Sequence, residues 1–177
     1  MLETKYMGLN LRNPLIAGSC GLTNSIEHLK DIEKGGAGAI IIKSIFEEQI
    51  LHDSAAHTNS ESNSWKKTFS NLVSDKEYYY DEAAAYMENY SREHSLSHYL
   101  DFLRDAKRAV NIPLIASIHC TSQYNWQYFA RKMQDAGADA IELNAFLLPS
   151  DFNRSSADNE NIYFEIVKEI KKYVSIP

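Results

Sequence analysis

A lysine closes the apolar run Ala39-Ile40-Ile41-Ile42, and a serine follows it as Lys43-Ser44. A charge at the rim of such a strand is costly unless it is solvated or paired. Position alone leaves two readings. Either the side chain snorkels to solvent on its own stem, or it is a fixed cation beside a cofactor or substrate that gains negative charge. Asn144 closes a second apolar run, Ala140-Ile141-Glu142-Leu143. Its amide donates and accepts at once, which suits the edge of a heterocycle and equally suits a turn or a helix cap. Gly18, in the loop Gly18-Ser19-Cys20-Gly21, lets a planar ligand approach the backbone closely or simply serves a tight turn. His119-Cys120 forms another polar end after Leu114 to Ile118.

Other candidates point to less. Cys20, Cys120 and His119 have metal-ligating side chains, but their spacing matches no zinc signature and a structural site needs a fourth ligand. No metal is expected. His52 and His57 share a polar loop and make a weaker case. Tyr78-Tyr79-Tyr80 reads as helix packing, with a lid as the alternative. The sequence has no Walker A loop and no G-x-S-x-G elbow, and the spaced glycines of a dinucleotide fold are missing after the first strand.

These residues need elements to hold them, and the chain supplies an alternation of apolar runs and amphipathic stretches. Leu2 to Leu11 reads as a small hairpin turning near Gly8. Asn13-Pro14 breaks the chain before a short buried strand, Leu15 to Gly18. Asn24 or Ser25 caps a helix from Ile26 to about Lys34, stopped by Gly35-Gly36. Ala39 to Ile42 is a strand, and its continuous apolarity indicates cover on both faces. Residues 46–95 form a long polar excursion that reads as an insertion, with a helix-prone part from Glu77 to Glu93. A clearer helix follows over Leu96 to Val110, with Leu96, Leu100, Leu103, Ala106 and Val110 on one face. Strands at Leu114 to Ile118 and Ala140 to Asn144 bracket a helix from Asn125 to Asp135, and Ala136-Gly137-Ala138 ends that helix. A polar loop through Asp158 precedes a last helix, Ile162 to Tyr173. Val174-Ser175-Ile176-Pro177 then repeats the connector Val110-Asn111-Ile112-Pro113. Repeated strand-helix units mean a parallel sheet, in a barrel or doubly wound. Both architectures place sites at strand C-termini, where the polar residues fall.

Composition bounds the function. The chain has 177 residues, is 44% hydrophobic and 24% charged, and carries a net charge of -6. It can bury a core, and its basic residues form no stripe for nucleic acid. Met1 to Arg12 lacks the apolar centre of a signal peptide, and no apolar run reaches the roughly 20 residues of a membrane span. Two cysteines argue against a disulfide framework. A cytoplasmic protein acting on a small molecule is the expectation.

The order of motifs resembles the dihydroorotate dehydrogenase family. The resemblance rests on Asn13-Pro14 with Ala17-Gly18-Ser19, on Gly36-Ala37-Gly38-Ala39 leading to Lys43-Ser44, and on Ala136 through Asn144. It spans the whole chain in order. It implies an FMN-binding TIM (β/α)8 barrel serving pyrimidine biosynthesis, with a small hairpin closing the base. Residues 1–12 would be that hairpin, and residues 13–177 the first four β/α units of a single domain. Carried over, Gly18 and Ser19 would line the flavin and Asn144 would hydrogen-bond its ring. Lys43 would sit by the pyrimidine edge, offsetting charge that grows there as hydride arrives. Ser44 would belong to the same cofactor shell.

The sequence also departs from the family. The base that takes a proton from a pyrimidine-like substrate falls at Leu147, and leucine accepts no proton. The Asn-rich segment that holds the substrate ring corresponds to Ala83 to Tyr90, which lacks the pattern. The chain supplies about four units where a barrel needs eight, typically ~250 residues. The expectation is a half barrel, inactive by itself, that self-associates through its open strand edges. Two alternatives stand beside it: a Schiff-base lyase or aldolase barrel using Lys43, and a non-catalytic assembly module.

Overall fold

The computed structural model describes residues 2–47, 96–120, 126–146 and 151–177. The helix expected over Glu77 to Glu93, the polar excursion past residue 47, the Tyr78-Tyr79-Tyr80 run and Leu147 lie outside the described residues. So do His52 and His57.

The chain opens with the expected hairpin. β1 (Thr4–Tyr6) and β2 (Leu9–Leu11) pair antiparallel, with Tyr6 opposite Leu9. Met7 and Gly8 between them both have positive φ, 50° and 86°. This is the backbone of a type I′ turn, whose twist matches the strands it joins.

Five parallel segments follow: β3 (Ile16–Ala17), β4 (Ala39–Ile41), β5 (Ile45–Phe46), β6 (Leu114–His119) and β7 (Ala140–Leu143). The described helices are α1 (Ile26–Lys34), α2 (Leu96–Ala109), α3 (Trp126–Asp135) and α4 (Ser156–Ile170). β4 and β5 lie end to end along one edge of β6, and β7 takes its other edge. The sheet therefore runs β3, β4 with β5, β6, β7, in chain order and without reversal. A doubly wound sheet reverses its order and carries helices on both faces. Here Leu29 of α1, Leu103 of α2, Met133 of α3 and Ile170 of α4 join one core with Ile40, Leu114 and Ile118. The opposite face, here called inner, holds a small cluster of Leu11, Ala39, Ile115 and Ala140 beside the hairpin's Leu9.

The helix ends show why the units repeat. Gly36 and Gly137 share a φ of 102°. Ala37 donates to Ile32 O at 3.2 Å and Ala138 to Met133 O at 3.1 Å, the wide bond of a Schellman turn in each case. Glu33 and Gln134 hold equivalent places before those glycines. The Glu33 carboxylate accepts the Asn111 amide at 2.8 Å, and the Gln134 carbonyl accepts the Ser175 amide at 2.7 Å. Pro113 O then accepts from Ile40 N at 3.0 Å, and Pro177 O from Ile141 N at 2.9 Å. The connector repeat legible in the sequence is thus a repeat in space.

Two expectations are corrected. The strand expected to end at Ile42 resumes as β5, because Ile45 and Phe46 pair with Ile118 and His119. The last helix begins at Ser156 rather than Ile162. Ser155 caps it, in a reciprocal box with Asp158 that satisfies amides the polar loop would have left open.

Candidate functional site

β4 and β5 do not make one regular strand. Ile41 stands opposite Ile115, and Ile45 opposite Ile118. Ile42, Lys43 and Ser44 therefore span the same length as Ala116 and Ser117. This is a β-bulge, a device that re-aims side chains and is common beside active sites. Ile42 and Ala116 both belong to the helix-side core. Lys43 and Ser44 are left to share the position opposite Ser117, and the Ser44 hydroxyl meets that of Ser117 on the inner face. Lys43 is half-buried and Ser44 buried. Lys43 is thus not a strand terminus, as the sequence suggested, but part of an interruption within a strand.

The loop after β3 holds the bulge from one side. Lys43 N donates to Thr23 O at 3.3 Å, and Ser44 N donates to Ser19 Oγ at 2.9 Å. From the other side comes Tyr99 of α2. Its hydroxyl accepts from Ser117 N at 3.0 Å and donates to Ser117 O at 3.2 Å. Burial pushes the Tyr99 phenol well above its ordinary range, the bond to the Ser117 backbone partly opposes this, and the Glu142 charge adds to the rise. Tyr99 therefore stays protonated and able to donate.

A row of hydroxyls crosses the inner face. Ser19 Oγ lies 3.0 Å from Ser44 Oγ, which lies 2.7 Å from Ser117 Oγ. Ser117 donates to Glu142 Oε1 at 2.7 Å. Each hydroxyl has a single proton, so the carboxylate at the end sets the direction. Ser117 spends its proton on Glu142, so Ser44 donates to Ser117 and Ser19 donates to Ser44. Ser19 already accepts from the Ser44 amide. Its one remaining lone pair can only accept, so a ligand atom meeting it must be a donor.

Beyond this row stands His119. Its Nδ1 is 2.6 Å from Asn144 O, and its ring centroid is 5.3 Å from that of Phe46. A backbone carbonyl can only accept, so Nδ1 carries a proton and donates it to Asn144 O. Asn144 is exposed, and its amide N donates to Ile118 O at 2.8 Å. Lys43 and Asn144 flank β6 two strand spacings apart and two residues out of step, about 12 Å at the backbone by ideal sheet geometry. Gly18 is exposed, and a side chain added there would meet nothing within 4 Å. Its φ is not in the left-handed region either. Neither packing nor a strained turn demands glycine at this position, which leaves room for a flat group against the backbone.

No family model matches the chain. It is similar to the catalytic subunit of dihydroorotate dehydrogenase B (NAD(+)) from Methanocaldococcus jannaschii, 29% identical over 180 residues, covering 100% of this chain and 52% of that protein. The corresponding subunit of Thermoplasma acidophilum is 27% identical over 177 residues, covering 99% of this chain and 52% of that protein. Over its whole length the chain is similar to these two dihydroorotate dehydrogenase B catalytic subunits. It spans about half the length of the curated relatives it matches.

Of the residues that carried the dihydroorotate dehydrogenase resemblance, Ser19, Ser44 and Lys43 are brought together at the bulge. Gly18 adjoins them in sequence, and Asn144 stands across β6. Cys20 is exposed and Cys120 buried. Among the described residues no three His, Cys, Asp or Glu side chains are placed to hold a metal ion, and no described helix is long and apolar enough to cross a membrane.

Sequence reasoning did not single out Tyr99, Ser117 or Glu142. A signal for two of them was present. Inner positions along β6 read Ile115, Ser117, His119, and along β7 Ala140, Glu142, Asn144. Polarity rises toward the strand C-termini with period two, as a site at that end requires. Tyr99 carried a weaker signal, a tyrosine in a buried stripe whose hydroxyl must find a partner.

Proposed function

We propose that residues 1–177 form the first four β/α units of an FMN-binding (β/α)8 barrel, a single domain of dihydroorotate dehydrogenase type. The unreversed strand order, the helices on one face and the hairpin at the opposite end from the polar strand tips all support this reading. The observation that carries it is the bulge, which sets Lys43 beside Ser44 and binds Ser44 to Ser19. FMN, when bound, supplies a ring that takes hydride from a pyrimidine-like substrate. In this reading Lys43 offsets the negative charge on that ring, and Ser19 accepts a hydrogen bond from it. Gly18 and Asn144 border the same ring, and Ser44 holds Ser19 in place. With leucine at position 147, where a proton acceptor is needed, the chain by itself turns over no dihydroorotate. A cytoplasmic location goes with this reading.

The test is a titration of the protein with FMN, followed by quenching of flavin fluorescence. Saturable binding is expected, weakened about tenfold by Lys43→Gln, the loss of one charge-assisted contact. Dihydroorotate should leave the bound flavin oxidised. Failure of FMN to bind at millimolar concentration would overturn the reading.

Self-association belongs to the same proposal, and the repeat supports it. The connectors align α2 with α4, so that Leu100 corresponds to Phe164 and Leu103 to Val167. Leu100 and Leu103 are 7% and 0% exposed, whereas Phe164 and Val167 are 69% and 46% exposed. Beside them lies an apolar groove of about 550 Å³ lined by Ile141, Leu143, Val167, Ile170, Val174 and Ile176, among others. We place the contact between copies at this groove and the adjoining β7 edge.

A further inference from the structure

We infer that Tyr99 is a positioning residue, whose hydroxyl keeps open the bulge that sets Lys43 beside Ser44. The inference deepens the cofactor reading above and rests on it in one arm of its test only.

In a parallel sheet the N–H and C=O of one residue both point to the same neighbouring strand, and successive residues alternate. On β6 the carbonyls of Pro113 and Ile115 serve β4, accepting from Ile40 N at 3.0 Å and Ile42 N at 2.9 Å. The carbonyls of Leu114 and Ile118 serve the β7 side, accepting from Asp139 N at 2.9 Å and Asn144 N at 2.8 Å. By this alternation both backbone groups of Ser117 face the bulge. The carbonyl still has a ladder donor, since the parallel pairing of Ile45 with Ile118 sets Ile45 N against Ser117 O; the Ser117 N–H, opposite the bulge, has the Tyr99 hydroxyl as its acceptor. Ser117 is fully buried, so water is not at hand to replace a lost bond. A buried amide left without an acceptor loses its bonds to water and gains nothing in return. The Tyr99 hydroxyl accepts that amide and is a second donor to the carbonyl.

The regular alternative is also closed. Pairing Ser117 with a strand residue would remove the extra position and shift Ile45 and Phe46 by one. A shift of one residue exchanges the faces. Ile45, now fully buried in the helix-side core, would turn to the inner face. The burial of Ile45 fixes the length of the interruption, and Tyr99 makes that interruption tolerable inside the protein. Lys43 and Ser44 then stand together opposite Ser117 as a consequence.

The experiment compares Tyr99→Phe with Leu103→Ala, a core truncation on the same helix. Amide hydrogen exchange and chemical shifts are read by NMR, and FMN affinity by fluorescence. Tyr99→Phe should lower protection of the Ser117 amide at least tenfold and move the Lys43, Ser44 and Ser19 signals, while Ile40 and Leu114 keep their protection. Leu103→Ala should lower all of these evenly. Unchanged relative protection at Ser117 in Tyr99→Phe would overturn the inference. Flavin affinity should fall about tenfold in Tyr99→Phe beyond any loss in Leu103→Ala; a disturbed bulge with unaltered affinity would overturn the positioning role. If the unmodified protein binds no FMN, the cofactor reading fails and the amide data decide the inference alone. Should Tyr99→Phe not fold, the unmodified protein carries the test. Its Tyr99 hydroxyl proton should exchange slowly and show a cross-peak to the Ser117 amide, and absence of that signal would overturn the proposal.

Discussion

The hydroxyl of Tyr99 meets both backbone groups of Ser117, accepting from its N–H at 3.0 Å and donating to its carbonyl at 3.2 Å. A side chain from the helix layer thus completes a strand that the sheet itself leaves incomplete. The arrangement has a pH signature. Burial raises the Tyr99 phenol above its ordinary value, which is about 10 in an unfolded chain. The folded state therefore keeps a proton that the unfolded state releases. The stabilisation is fully present below about pH 10 and is lost as pH rises beyond it. Urea denaturation between pH 8 and pH 11 should show a steeper alkaline fall for the unmodified protein than for Tyr99→Phe. Equal slopes would mean that the phenol is not held as described.

Two glycines should respond oppositely to alanine. A side chain at Gly38 would begin 2.1 Å from the backbone oxygen of Asn13. Neither partner can move without breaking the Gly38 amide bond to Leu15 O at 2.7 Å. Gly38→Ala should cost roughly 3 kcal/mol or more in urea melts, whereas Gly18→Ala should stay within about 0.5 kcal/mol. On the proposed reading, Gly18→Ala should instead weaken FMN binding. A stable Gly38→Ala protein would contradict the packing at Asn13.

The hydroxyl row predicts coupling between Ser117 and Glu142. Their bond is 2.7 Å long and ends on a carboxylate. A double-mutant cycle with Ser117→Ala and Glu142→Leu should give an interaction of about 1 kcal/mol. Strict additivity would mean that Glu142 does not set the direction of the row.

Acid should loosen the start of α4. The Asp158 carboxyl is held below its ordinary range, first by the Ser155 hydroxyl, then by the Ser155 amide, with the Arg154 charge adding. The folded value is depressed, so the stabilisation is present above the unfolded value of about 3.9 and is lost as pH falls through the folded one. Exchange of the Asp158 and Asn159 amides should quicken below about pH 4 in the unmodified protein. In Asp158→Asn this dependence should be absent; if it persists, another group is responsible.

The exposed face of α4 can be tested by charge. Val167→Glu, with Phe164→Ser as a second variant, should convert associated protein to monomer in light scattering. Monomeric unmodified protein at tens of micromolar would rule out the contact at this groove.

Much of this was legible in the residues. Apolar runs ended by glycine, proline or a capping serine gave the hairpin turn at Gly8, α1 under Ser25, and the helix stops at Gly36 and Gly137. These features are local: a positive φ, a capped amide or a two-sided apolar strand depends on residues a few positions apart. The repeated connector was legible for the same reason, as was the gathering of polar residues at strand ends. The start of α4 was also local and was missed, because Ser155 and Asp158 lie in a polar stretch that read as loop.

The bulge belongs to the tertiary structure. Nothing between Ala39 and Glu47 marks Lys43 as part of an interruption; the residue count becomes uneven only when the segment is laid against β6, which is distant in sequence. Tyr99 and Ser117 are ordinary residues of a helix and a strand until that pairing leaves the Ser117 amide without a ladder acceptor. The chain alone determined which residues are apolar, where elements stop and at which end of the sheet the polar residues gather. Which side chains share the inner face was decided by register, and register depends on contacts between strands that no local pattern records.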